Sequence, residues 1–128
     1  MSTTFFIPIK PVAKARPRMG RFGMYTPKKT AEFESIVKTM ARVHHKGPPL
    51  EGPLGAILIF NFEKPKSSKN EVPMVRPDLD NYIKAILDAL NEVVYKDDAQ
   101  IVKILAEKKY SSLEGISISI SRLSDAII

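Results

Sequence analysis

A chain of 128 residues, of which 44% are hydrophobic and 27% are charged, is long enough to form one globular domain with a buried core. It contains no cysteine, which excludes disulfides, thiolate metal sites and cysteine nucleophiles, and its longest apolar run, over residues 54–60, is far shorter than the ~20 residues of a membrane span. The net charge of +6 favours a polyanionic partner, and since no secretory signal is recognisable we expect a cytoplasmic protein.

The first third of the chain predicts a strand, a basic loop and a helix. A short strand is expected over residues 4–9, followed over residues 10–29 by seven cations without a single acid, among prolines and glycines. Thr26 and Pro27 form a helix-start signal, with the threonine as the expected cap, and the helix should continue to His44. Its predicted buried stripe consists of Phe33, Ile36, Val37, Met40 and Val43.

The rest of the chain predicts three strands and a second helix. Residues 54–62 are apolar on both alternating faces, as in a central strand covered on each side. A helix is expected over about residues 80–94, and two strands over 100–109 and 115–123. The apolar face of that helix comprises Leu79, Ile83, Ile86, Leu87, Leu90 and Val94. The order β-α-β-α-β-β predicts one α+β domain over residues 1–128, with a mixed sheet packed by two main helices.

Charge is distributed unevenly along the chain. Residues 1–77 carry 14 cations and 5 acids, a net +9, whereas residues 78–128 carry 6 cations and 9 acids, a net −3. Within the second part, residues 78–98 hold six acids against two lysines. A compact acidic spot on a basic surface repels the polyanion that the surface attracts, unless cations neutralise the spot.

The acidic segment begins with two carboxylates at the entrance of the second helix. Pro77 disfavours helical geometry before it, so Asp78 is expected to be extended and to face outward together with Asp80. Lys84 lies one turn further along the helix, and an acidic pair at 97–98 follows the helix. Closely spaced carboxylates are typical ligands of Mg²⁺, which would allow a phosphodiester to approach.

Two other interpretations of these carboxylates remain open. Asp78 or Asp80 could simply cap the helix, with the pair at 97–98 in a solvated turn. Alternatively, Asp78 could combine with the strand residues 107–109, Glu-Lys-Lys, in another nuclease layout.

The basic residues are candidates for contacts with DNA phosphates. The arginine fork matches phosphate geometry best, and lysines in the polar loop over 63–70 add point charges. The candidates are Lys14, Arg16, Arg18, Lys28, Lys29, Lys66, Lys69 and Arg76. Phe22 and Tyr25, inside the basic loop, either stack on an unpaired base or pack under their own loop.

Two motifs resemble the signature of the RusA family of Holliday junction resolvases. They are Arg-Pro-Asp-Leu-Asp-Asn-Tyr-Ile-Lys-Ala-Ile-Leu-Asp-Ala-Leu-Asn over 76–91 and Tyr-Lys-Asp-Asp-Ala-Gln-Ile-Val over 95–102, and the upstream segments at 14–18 and 25–30 are similar to the N-terminal half of bacterial and phage members. The resemblance covers about residues 5–122 and implies a bacterial or phage-encoded chain.

The resemblance implies a homodimeric endonuclease that cuts four-way DNA junctions symmetrically with Mg²⁺, which Mn²⁺ can replace. Carried across by position, the catalytic and metal-binding carboxylates are Asp78, Asp80 and Asp98, and the catalytic lysine is Lys84; Asp97 is a weaker candidate. The alternative function is that of a non-catalytic accessory protein that binds branched DNA and whose carboxylates are structural.

Overall fold

The computed structural model describes residues 1–123. Its elements are β1 (Ser2–Ile7), β2 (Arg18–Gly20), β3 (Gly23–Tyr25), α1 (Lys28–His44), β4 (Leu54–Phe62), α2 (Leu79–Leu90), a 3₁₀ turn (Asp98–Gln100), β5 (Ile101–Tyr110) and β6 (Gly115–Arg122). In this part of the chain, none of the helices is long and apolar enough to cross a membrane. The last five residues of the predicted domain, 124–128, lie outside the described residues.

Four strands form one mixed sheet in the order β1-β6-β4-β5. β6 runs antiparallel to both β1 and β4, while β4 and β5 are parallel and are connected through α2. One face of β4 and β6 is buried with the apolar sides of both helices in a single core, through Leu54, Ala56, Leu58 and Phe60 on β4 and Ile116, Ile118 and Ile120 on β6. On the other face of the sheet Ile57 and Ile59 are only half-buried, so β4 is fully covered on one side and not on both as predicted.

The predicted α+β class, mixed sheet and two packing helices are confirmed. The basic loop differs from the prediction because it folds its centre into a hairpin of β2 and β3. Gly23 has a φ of +112°, a conformation that L side chains rarely adopt, and the glycine therefore permits this tight turn.

Helix α1 and its predicted burial differ in detail. Pro27 occupies the cap position without a side-chain hydrogen bond, so the predicted capping by Thr26 is wrong. The residues of α1 that are buried are Thr30, Phe33, Val37 and Ala41. Ile36 and Val43 are 45% and 53% exposed, because the face of α1 that meets the sheet is centred on Val37 and Ala41. Helix α2 ends at Leu90, four residues earlier than predicted, and a turn follows.

Candidate active site and nucleic-acid groove

The residue at the entrance of α2, Asp78, has an extended backbone and an exposed carboxylate. Asp78 has φ −70° and ψ 151°, as predicted, and occupies the cap position without making a side-chain capping hydrogen bond. Its side chain is 61% exposed, and its nearest ionic contact is Arg76, 4.0 Å away. Helix capping therefore does not account for Asp78, and its carboxylate faces solvent.

Lys108 on β5 fastens the segment that precedes Asp78. Its ammonium group donates hydrogen bonds to the carbonyl oxygens of Val75, at 2.8 Å, and Pro77, at 3.0 Å. In the parallel register Lys108 pairs with Phe60, so it shares the helix-covered face of the sheet. Glu107 points to the opposite face because side chains alternate along a strand, and the structure does not bring it to Asp78.

A group of opposite charges surrounds Asp88 on α2. The ammonium of Lys14 binds Glu34 of α1 and lies 3.4 Å from Asp88, while Lys84 lies 3.9 Å from the same carboxylate. Burial lowers the pKa of Lys14, but the hydrogen bonds and charges of Glu34 and Asp88 outweigh it, so the pKa is raised. Lys14 therefore stays charged and braces the two helices, an arrangement that the sequence alone did not indicate.

The two aspartates after α2 have different surroundings. Asp97 caps the 3₁₀ turn by accepting a hydrogen bond from the backbone N–H of Ala99 at 3.0 Å. Partial burial raises the pKa of Asp98, and its interactions with the neighbouring carboxyl groups of Asp97 and Asp88 raise it further. Asp97 thus caps a turn, whereas Asp98 lies close to two other carboxyl groups, those of Asp88 and Asp97.

The structure divides the predicted carboxylates into two groups at opposite ends of α2. Asp98 lies beside Asp88, whereas Asp78 and Asp80 lie at the start of the helix, and eight residues of helix span about 12 Å. Among residues 1–123, no three acidic or histidine side chains converge closely enough to hold a metal ion. Asp88 was not among the predicted site residues. It lies one turn beyond Lys84 and two turns beyond Asp80, so the helical spacing alone places all three on one face of α2.

Both groups consist of carboxylate oxygens, which fits a hard divalent cation. Mg²⁺ is usually held by one or two carboxylates together with water and substrate phosphates, so a cluster of three protein ligands is not required. Partial burial and the neighbouring carboxyl groups of Asp97 and Asp88 raise the pKa of Asp98, and a bound cation would favour its charged form. The assignment of Asp78, Asp80, Asp98 and Lys84 to metal binding and catalysis stays a prediction.

Half of the eight predicted phosphate contacts line one large cavity beside Asp78. Arg18, Lys29, Lys66 and Arg76 line it together with Lys64, a lysine of the polar loop, and with two cations that were not candidates, Lys10 and Lys108. Arg16, Lys28 and Lys69 are exposed outside the lining, whereas Lys14 is directed away to Glu34 and Asp88. Only the tertiary structure separates Lys14 from the rest.

The chain is similar to a known family and to a known protein. The chain matches the family described as Endodeoxyribonuclease RusA over residues 8–121. It is also 32% identical over 131 residues to the Uncharacterized protein YqaN of Bacillus subtilis (strain 168), and the match covers 90% of this chain and 92% of that protein.

Proposed function

The chain belongs to the RusA family of endodeoxyribonucleases, and we propose that it resolves four-way (Holliday) DNA junctions by paired, metal-dependent phosphodiester hydrolysis. The observation that carries the proposal is the position of Asp78. Its carboxylate is exposed, is not used to cap the helix, and follows a segment that forms one wall of the cationic cavity. A DNA strand attracted by those cations would pass this carboxylate.

The predicted catalytic residues in α2 and at its two ends have different roles. Asp78 and Asp80 would hold Mg²⁺, or Mn²⁺ in its place, at the start of the helix. Asp98, the third predicted ligand, lies beside Asp88 toward the other end of the helix and would reach the same ion only through a bridging water or phosphate oxygen. A divalent cation bound to carboxylates activates water and stabilises negative charge on a phosphoryl oxygen. Lys84, 63% exposed on the same helix, would stabilise the charge that develops on the scissile phosphate.

A cleavage assay tests the proposal against the accessory-protein alternative. We expect the protein to nick opposite strands of a labelled four-way junction in Mg²⁺, to leave a linear duplex of the same sequence intact, and to bind the junction without cutting it in EDTA. Tight junction binding with no cleavage in either Mg²⁺ or Mn²⁺ would favour the non-catalytic function.

Two symmetric cuts require two active sites, and we include a homodimer in the proposal. Supporting it, β5 is an edge strand of the sheet in the described part of the chain, and its exposed side chains include Val102, Ile104 and Leu105, 61%, 42% and 56% exposed. The first half of this edge strand thus exposes apolar side chains, and such a surface can pair with a second copy.

Leu105→Lys is expected to convert the dimer to a monomer, because a charge on the edge strand opposes strand pairing. Light scattering after size-exclusion chromatography measures the mass directly. Leu113→Lys is the matched control, since Leu113 is 60% exposed in the turn between β5 and β6 and should not affect assembly. A monomeric wild type would refute the dimer, and a dimeric Leu105→Lys variant would place the interface elsewhere.

A further inference from the structure

A cavity of about 800 Å³ opens where the parallel strands β4 and β5 end. The last residue of each strand, Phe62 and Tyr110, lines it, together with Tyr82 of α2. The volume lies within the range of pockets that enclose small-molecule ligands. The cavity is therefore large enough for a planar group, and its walls are built from several segments that are far apart in the chain.

The aromatic residues of the cavity are supported by ring packing in the core beneath them. The ring of Tyr82 is 6% exposed and lies 5.5 Å from the ring of Phe60 and 5.4 Å from that of Phe62. Tyr110 is only half-buried, and its hydroxyl lies 3.5 Å from the hydroxyl of Ser68 in the polar loop. Phe62 and Tyr110 thus present partly accessible rings on a rigid base.

The rim of the cavity is strongly cationic. The lining contains six cations besides Lys108, namely Lys10, Arg18, Lys29, Lys64, Lys66 and Arg76, against the two acids Glu63 and Glu114. Glu114 is partly engaged, since its carboxylate accepts a hydrogen bond from the backbone N–H of Glu63 at 3.1 Å. An aromatic floor with a cationic rim is complementary to a nucleotide, which has a flat base and anionic phosphates.

The cavity also adjoins the predicted catalytic carboxylates. Pro77, which is part of the lining, is the residue immediately before Asp78, and the hydrogen bond from Lys108 to its carbonyl oxygen holds that wall in place. A ligand in the cavity would therefore lie close to Asp78, where cleavage is proposed to take place.

We propose that this cavity receives one unstacked nucleotide of the DNA strand beside the cleavage position, with its base against Phe62 and Tyr110 and its phosphates on the cationic rim. The inference rests on the proposed function for the identity of the strand. A four-way junction supplies such a nucleotide at its branch point, where bases can leave the helical stack at the lowest cost.

Photo-cross-linking locates the base without any variant. A four-way junction that carries 5-iododeoxyuridine at the branch-point positions is bound in EDTA, irradiated and digested, and the cross-linked peptides are identified by mass spectrometry. We expect the base to be attached to Phe62, Tyr82 or Tyr110. Cross-links confined to Phe22 or Tyr25 of the β2-β3 hairpin, or none to an aromatic residue, would overturn the proposal.

Substitution at Tyr110 tests the stacking itself. Tyr110→Leu should weaken binding of an oligothymidine single strand about tenfold by fluorescence anisotropy, while Tyr110→Phe, which retains the ring, should bind as the wild type does. Far-UV circular dichroism verifies the fold of both variants. Wild-type affinity of Tyr110→Leu, or a loss caused by Phe22→Leu in its place, would contradict the cavity as the base site.

Neither measurement depends on catalysis. Cross-linking inside the cavity by a protein that does not cut junctions would support the nucleotide site and refute the nuclease. Junction cleavage with no cross-link inside the cavity would refute the nucleotide site alone.

Discussion

Asp80→Asn is expected to lower junction cleavage by at least about 10³-fold while junction affinity stays the same or rises. The loss follows because a carboxylate ligand is replaced by a neutral amide, and metal-dependent stabilisation of the reaction is worth several kcal/mol, with each 1.36 kcal/mol a factor of ten. Affinity should not fall, since one negative charge is removed from the path of the phosphates. Asp80 is exposed in the first turn of α2, where its charge contributes only about 0.3–1 kcal/mol to the helix.

Cleavage in Mg²⁺ and junction binding in EDTA are measured on the same preparation of Asp80→Asn. Glu107→Gln is the matched control, because it also replaces a carboxylate by an amide but lies on the face of the sheet that points away from α2. This variant should cleave at about the wild-type rate. Loss of both binding and cleavage in Asp80→Asn would mean that Asp80 maintains the fold. An inactive Glu107→Gln with an active Asp98→Asn would move the site to residues 107–109.

Lys84→Ala is expected to reduce the rate of the cutting step by about 10²-fold or more, with little change in junction affinity. The side chain lies 3.9 Å from Asp88 and is 63% exposed, so as a surface ion pair it would contribute only about 0.3–0.5 kcal/mol to stability. As a cation beside the scissile phosphate it acts mainly in the transition state, where removing one preorganised charge-stabilising group has effects of this size.

Single-turnover cleavage of a pre-bound junction at saturating Mg²⁺ separates the two roles of Lys84. Lys84→Arg should restore little activity, since the guanidinium is wider and delocalised where a compact ammonium is needed. Lys46→Ala, which removes an exposed lysine from the loop after α1, is the control for loss of one positive charge. Wild-type rates for Lys84→Ala would leave the lysine as a helix-surface residue.

The elements that could be predicted from the sequence are those whose pattern is local. The apolar run of β4 begins and ends at Leu54 and Phe62 as predicted, because its bounding residues are proline, glycine and charged side chains. Asp78 is extended as predicted, and its non-helical backbone is that of the cap residue at the start of α2. The candidate site residues Asp78, Asp80, Lys84 and Asp98 could likewise be identified from the sequence, because they lie in one short acidic segment.

Burial on α1 was predictable only in part. Apolar residues occupy more of the helix circumference than the sheet can cover, and the structure buries Val37 and Ala41 while it leaves Ile36 and Val43 outside. The choice depends on the rotation of the helix against β1 and α2, which hydrophobic periodicity does not specify closely.

The grouping of the charged side chains was decided by tertiary structure. The turn after α2, with Glu92 at a φ of 69° and Tyr95 buried, returns the chain so that Asp98 lies beside Asp88 at the end of the helix and not beside Asp80. Likewise β5 has apolar and charged residues on both faces, so the sequence could not indicate that Lys108 would turn inward to hold the wall of the cavity. Contacts between residues far apart in the chain depend on strand register and helix rotation, and these are set by the packing of the whole core.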